Sequence, residues 1–255
     1  MKRVMLFWLI LALCAAQGAG AEDDIEALLY SGVAAKRVTQ AGLRELLQEA
    51  EQALQRTPDD YGLLWKYAAL NYFQGEFYSV QHDEKKKYAT LCKEYAEKAV
   101  KVNPRGIAGH YWLGVGLAKW AEYNGVLFSL FSADDILNEM NIVIRLDPAF
   151  FKGLPWAIRA SVYGMAPPFI SVGDPAKARD DIKTALFYGK DYRPTYLTCA
   201  DVDIALGEWR DAKKIIDKGL ALPFDPRLTL EENDCIKKLK DRRAKVETEL
   251  AKSRK

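Results

Sequence analysis

Along most of the chain apolar positions recur every three or four residues, which gives a helix one buried face, and no segment sustains the alternation expected of a strand. The clearest stretch carries Ala178, Ile182 and Ala185 on one face. It opens with Gly173-Asp174-Pro175, an aspartate placed to cap a helix whose first residue is proline. The segment before it carries Trp156, Ala160 and Tyr163, and the next two carry Tyr196, Cys199 and Ala200, then Gly207, Ala212, Ile216 and Gly219, with Pro223 just beyond. The same scheme runs backwards through the chain. Leu113, Gly114 and Leu117 lead to Ile136, Met140, Val143 and Pro148, and Trp65, Ala68, Ala69 and Tyr72 lead to Cys92, Ala96, Ala99 and Pro104. A poorer first unit has Leu46, Ala50, Ala53 and Pro58, preceded by Asp24 to Val33 as a degenerate first helix. Asn103-Pro104 and Asp147-Pro148 stop the helices before them.

This recurrence is an internal repeat of two antiparallel helices with small residues where they face each other and large aromatics in the remaining gaps. It predicts an all-α, tetratricopeptide (TPR)-like helical-hairpin solenoid of about five helix pairs, at roughly 23–58, 60–104, 106–148, 152–190 and 193–223 within a repeat domain of 22–226. Residues 227–255 follow as a charged C-terminal helix. Its partial stripe of Leu230, Ile236, Leu239, Val246 and Leu250 predicts a cap on the last repeat.

The spacing inside the pairs departs from the ordinary one. Nine positions separate Asp203 from Ala212, but twenty separate Tyr72 from Cys92, nineteen Leu117 from Ile136, and fifteen Tyr163 from Ala178. Three consecutive hairpins thus carry insertions at one topological position, where loops of stacked units gather on one face. Their contents are apolar: Phe77 and Tyr78, then Val126, Leu127, Phe128, Leu130 and Phe131, then Pro167, Pro168, Phe169 and Ile170. Three readings are open. The segments extend helices and pack as local core, contact a partner or second subunit, or rim a ligand cavity.

Lys2 and Arg3, the apolar run Val4 to Ala16 and Ala19-Gly20-Ala21 predict a signal peptide over 1–21, and hence a periplasmic protein beginning at Glu22. Leu11-Ala12-Leu13-Cys14 raises the alternative of a lipid-carrying Cys14, disfavoured by the bulk of Leu13. Removing 1–21 takes away two basic residues and no acids, leaving 35 of each sign. With the charges interleaved, nucleic-acid binding is not expected. Cleavage also leaves Cys92, Cys199 and Cys235, which allow at most one disulfide; Cys92 and Cys199 fall at helix-packing positions.

No catalytic, metal or cofactor site is expected. The two histidines, His82 and His110, share no local motif with a nucleophile or paired carboxylates, and His110 stands where repeats commonly carry a core tryptophan. The positions assigned to the inner surface include Lys66, Leu70, Tyr111, Val115, Lys119, Ser161 and Asp201. They suit an amphiphilic acid, with its carboxylate near Lys66 or Lys119 and its tail on Leu70 and Phe73. The candidate ligand- or partner-binding residues are therefore Lys66, Leu70, Phe73, Tyr111, Lys119, Phe128, Phe131 and Phe169.

The Trp/Tyr helix, the stretch Met165-Ala166-Pro167-Pro168 and the turn Gly173-Asp174-Pro175 with its following Ala-Leu helix together resemble the TPR component associated with periplasmic TRAP transporters, and related exported bacterial TPR proteins. The likeness spans Trp65 to Pro226, with Val172 where those proteins often carry a further glycine. It implies a periplasmic or lipid-anchored helical protein that forms ring-like homo-oligomers and associates with a solute-binding protein for small organic acids or other hydrophobic ligands. The expected function is an exported interaction scaffold, accessory to TRAP-type solute uptake or envelope assembly. The alternative is a carrier of a small hydrophobic or organic-acid ligand on the inner face.

Overall fold

Three helix starts follow directly from the polar residue placed before them. Thr39 Oγ1 accepts from the Gly42 N–H, Asp60 Oδ1 from the Leu63 N–H at 2.9 Å, and Asp174 Oδ1 from both Ala176 and Lys177. Each satisfies amide groups that the first turn of a helix leaves unpaired. The computed structural model describes residues 32–253, and the signal-peptide segment, Cys14 and most of the degenerate first helix lie outside them.

The described residues form eleven α-helices and no strand. They are α1 (Gly32–Arg37), α2 (Gln40–Arg56), α3 (Tyr61–Phe73), α4 (His82–Val102), α5 (Ile107–Asn124), α6 (Val126–Leu146), α7 (Leu154–Met165), α8 (Pro175–Tyr188), α9 (Arg193–Ala205), α10 (Trp209–Ala221) and α11 (Thr229–Lys252). They follow one another as helical hairpins in the TPR-like arrangement that the repeat pattern predicts. The chain divides into two compact units between Ser129 and Leu130, a point inside α6.

In the first unit α3 packs on α4 and α4 on α5. Ala68, Ala69, Cys92, Ala96 and Ala99 are wholly or almost wholly buried there. α5 comes close to α4 at Gly116, where a Cβ would stand 2.7 Å from the backbone nitrogen of Lys93. Any larger residue forces the two helices apart. The start of α5 has no side-chain cap of its own. Tyr61 supplies one from α3, its hydroxyl accepting from the Gly109 N–H at 3.1 Å. Gly106 makes room for that ring, since a Cβ there would fall 2.2 Å from it.

In the second unit Ala157, Ala160, Ala178, Ala185, Cys199, Ala200, Ala212 and Ile216 form one buried cluster with Leu239 and Val246 of α11. The C-terminal helix thus covers α9 and α10, as a cap should. The buried places of its stripe fall to Cys235, Leu239 and Val246, with Leu230 and Ile236 only half-buried. Arg159 of α7 ties three helices together. It donates two bonds of 2.7 Å to the Asp181 carboxylate on α8 and one of 2.6 Å to Asn141 Oδ1 on α6.

Two local features have no counterpart in the expectation from sequence. Phe151 (φ 46°), Lys152 (φ 55°) and Gly153 (φ 75°) form a left-handed run between α6 and α7. It is held from α9, where the Thr195 hydroxyl donates to the Lys152 carbonyl at 2.9 Å. The second feature is Arg193, almost completely buried at the start of α9. Its Nε donates to the Gly219 carbonyl at 2.9 Å, Nη2 donates to the Leu222 carbonyl, and Nη1 pairs with Glu232 of α11. One guanidinium thereby closes the C-terminus of α10 and fastens the cap helix.

Of the readings left open for the inserted segments, helix extension describes the first two. Gln74–Tyr78 continues α3 as a π-helical turn, and 126–131 are the first turns of α6, set off from α5 by Gly125 alone. Neither is a loop, because both lack the proline that would break a helix. Residues 79–81 after the π-helical turn are irregular, and so is the longer stretch 166–174 with Pro167-Pro168.

Breaking a buried ion pair from one side strands the other charge. Glu232→Ala is therefore expected to cost about 3–5 kcal/mol in chemical denaturation. The exposed pair Lys183–Asp180 serves as a control whose removal changes stability by about 0.5 kcal/mol or less.

Candidate functional site

The eight candidate residues separate into a packed group and an exposed group. Lys66, Leu70 and Phe73 sit on α3 and Tyr111 and Lys119 on α5, all in the first unit. Leu70, Phe73 and Tyr111 are buried, not displayed on an open surface. Phe73 and Tyr111 both touch Trp112, with ring centroids 6.0 and 5.2 Å apart, and Tyr72 and Phe77 complete an aromatic cluster. The Arg37 guanidinium lies over the Phe73 ring at 4.4 Å. Most of α3 and α5 is buried on every side, so the surface that sequence spacing assigned to an amphiphile is filled by side chains.

Lys119 is already engaged. Its Nζ stands 3.0 Å from Glu76 Oε2 and 3.1 Å from Glu122 Oε2. Burial works against its charge, but Glu76 and Glu122 outweigh that, and its pKa lies above the ordinary lysine value. A ligand carboxylate would have to displace Glu76 to reach it. Lys66 is half-buried, with Nζ 5.3 Å from the Trp65 ring. Of the other positions assigned to the inner surface, Asp201 is held by Arg242 of α11 at 2.7 Å, and the Ser161 hydroxyl donates to the Ala157 carbonyl.

Phe131 and Phe169 are the exposed group, at 73% and 98%. Phe128 lies in the first turns of α6, between Val126 and Phe131. In the second unit Met165 (54%) and Ile170 (76%) are exposed beside Phe169 in sequence. The Arg159–Asn141 bond fixes how α6 and α7 lie together. Running back from Asn141 to Phe131 covers roughly 15 Å along α6, and running on from Arg159 to Met165 covers roughly 9 Å along the antiparallel α7. Phe131, Met165 and the 166–174 loop therefore sit toward one edge of the second unit.

No group of three or more His, Cys, Asp or Glu among the described residues is placed to hold a metal ion. His110 is buried with Nε2 3.0 Å from the Pro104 carbonyl, and the His82 ring meets Tyr123 edge-on. Cys92, Cys199 and Cys235 are free and buried, and burial pushes all three thiols up, Cys235 to about 12. None of them is a reactive thiolate. Among the described residues no helix is long and apolar enough to cross a membrane.

Asp203 figures in the sequence only as a spacing position, and its burial is not anticipated there. It is buried on α9, and desolvation raises its pKa to about 6, with Asp211 and Glu208 adding to the rise and Arg179 opposing it. The signal that could have found it is its place in the repeat, where Tyr72, Leu117 and Tyr163 stand in the other pairs and a carboxylate is out of keeping.

Residues 33–152 match the family model described as regulator of microtubule dynamics protein 1-3. No curated protein matches the chain. Among solved structures, a thermophilic TPR protein of Thermus thermophilus superposes with a TM-score of 0.58 at 17% sequence identity, over 80% of this chain and 95% of that one. This likeness shows the TPR-like fold.

A carboxyl group whose pKa is raised by folding favours the folded state in its protonated form. Relative to higher pH, that stabilisation is complete below the unfolded value near 3.8 and is lost as pH rises through about 6. Asp203→Asn is therefore expected to gain about 2 kcal/mol at pH 7.5 and nothing at about pH 3.5. Urea melts of both proteins at the two pH values check this.

Proposed function

We propose that the chain is a non-catalytic interaction scaffold of the TPR type, which engages another protein through the apolar edge of its second unit. The observation that carries this reading is the exposure of Phe131, Met165, Phe169 and Ile170 toward one edge. A protein rarely shows water such a group of large apolar side chains without a partner for it. The TPR-like fold supports the same class of function. The carrier reading has less support, because Leu70, Phe73 and Tyr111 are packed and Lys119 is held between two carboxylates.

Two different likenesses bear on the class of partner. The signal-peptide pattern over 1–21 and the resemblance to the TRAP-associated component favour export to the periplasm. There the partner is an envelope protein such as a solute-binding protein, with homo-oligomer formation as part of the same assembly. The match of 33–152 to the microtubule-dynamics regulators favours a second reading, a partner in the microtubule system. Pull-down from envelope extract and co-sedimentation with microtubules separate the two.

The combined substitution Phe131→Ser and Phe169→Ser is expected to weaken capture of the partner about tenfold or more, since 1.4 kcal/mol already corresponds to that factor. Both side chains are exposed, so the melting temperature should stay within a few degrees of wild type. Unchanged capture in both assays would overturn the proposal.

A further inference from the structure

Arg210, Lys213, Lys214 and Asp217 recur along α10 at the spacing that places side chains on one helix face. With Leu250 of α11 and Ser253 just beyond it they line an open groove of about 350 Å³. Most of the charges there are matched. Lys213 Nζ lies 2.6 Å from Asp217 Oδ2 and 4.0 Å from Glu247 Oε1, and Lys214 Nζ lies 2.8 Å from Asp211 Oδ1. Arg243 of α11 faces Asp217 at 3.4 Å and Glu247 at 3.1 Å. Arg210 has no carboxylate partner among the described residues, and neither has Lys218, one turn beyond Lys214.

Arg210, Lys214 and Lys218 thus form a ladder of cations about 6 Å apart along the helix. The two outer rungs are unpaired. The middle one is bound only by an exposed pair three residues apart, worth a few tenths of a kcal/mol. In an extended peptide, side chains two residues apart point the same way at about 6.6 Å, nearly the same interval. We propose that this groove, together with the exposed Lys218 one turn beyond its lining, binds an acidic peptide segment of a partner protein. Carboxylates on alternate residues meet Arg210, Lys214 and Lys218, and an aliphatic side chain rests on Leu250. Arg210 presents a planar fork suited to a two-point carboxylate contact. A lone anion would use one rung and leave the ladder idle, so the spacing favours a peptide. This surface is separate from the Phe131 and Phe169 edge, and it rests on the scaffold reading only in taking the occupant to be protein.

The test is fluorescence anisotropy of the intact protein with a labelled peptide of alternating glutamate and leucine. Binding is expected at low salt and should weaken steeply as salt is raised, because the contacts are exposed. Arg210→Glu and Lys218→Glu should each reduce affinity about tenfold, a loss of 1.4 kcal/mol, while melting as wild type does. Arg210→Gln gives a milder loss, and Arg44→Glu in the first unit gives none. The Phe131 and Phe169 double variant should bind this peptide normally, which separates failure here from failure of the apolar edge. Equal affinity in the charge-reversed variants, absence of binding at low salt, or displacement by inorganic phosphate as readily as by unlabelled peptide would each overturn the proposal.

Discussion

Two helices can approach closely only where neither carries a bulky side chain at the crossing, and the packing of both units depends on that constraint. In the first unit Gly116 meets the backbone of Lys93 directly, with Ala96 and Ala99 beside the same interface. In the second, Ala157, Ala160, Ala178 and Ala185 are fully buried, and Gly219 comes within contact of Tyr196 and Leu239. Close approach leaves a tapering space beside each crossing, and the aromatics fill it: Tyr67 against Tyr95, Phe73 and Tyr72 against Trp112. The small residues set the separation and the rings complete the density.

Close packing creates a second demand, because helix ends buried within a stack cannot be satisfied by water. The chain meets it with side chains from neighbouring helices. The Tyr61 hydroxyl serves the start of α5, and the Arg193 guanidinium serves the end of α10. Arg193 also needs a counter-charge in that apolar setting, which Glu232 provides. A charged residue in a core is thereby explained by the polar backbone it completes.

Much of the architecture was legible because its signals are local. Asp174-Pro175 marks a helix start on its own, and the recurrence of Ala178, Ile182 and Ala185 marks its inner face. The pairs Asn103-Pro104 and Asp147-Pro148 likewise end helices wherever they stand. The candidate site was only half legible. Phe131 and Phe169, where spacing left core, contact and cavity rim open, are exposed, whereas Leu70 and Tyr111, assigned from spacing to an open inner surface, are buried. Periodicity gives the face of a helix and not what lies against it, and α3 and α5 are apolar on every face. Lys119 looked like a free cation because its partner Glu76, forty-three positions earlier, reaches it only through the π-helical turn after α3. Arg193 was invisible for the same reason, since it is defined by Gly219, Leu222 and Glu232, all distant in sequence.

The left-handed run at Phe151, Lys152 and Gly153 links three sites that look unrelated along the chain. The Lys152 carbonyl takes the Thr195 hydroxyl, and a Cβ on Gly189 would stand 2.4 Å from that same oxygen. Gly153 in turn lies against the Ala185 carbonyl, which a Cβ would approach to 2.5 Å. Positions 152–153, 185, 189 and 195 are therefore one unit of inheritance. A descendant that acquires a side chain at Gly189 must reshape the turn and release Thr195 in the same step. In the divergence of such sequences these sites should drift together or not at all, as a correlated set among helix-surface positions that change independently.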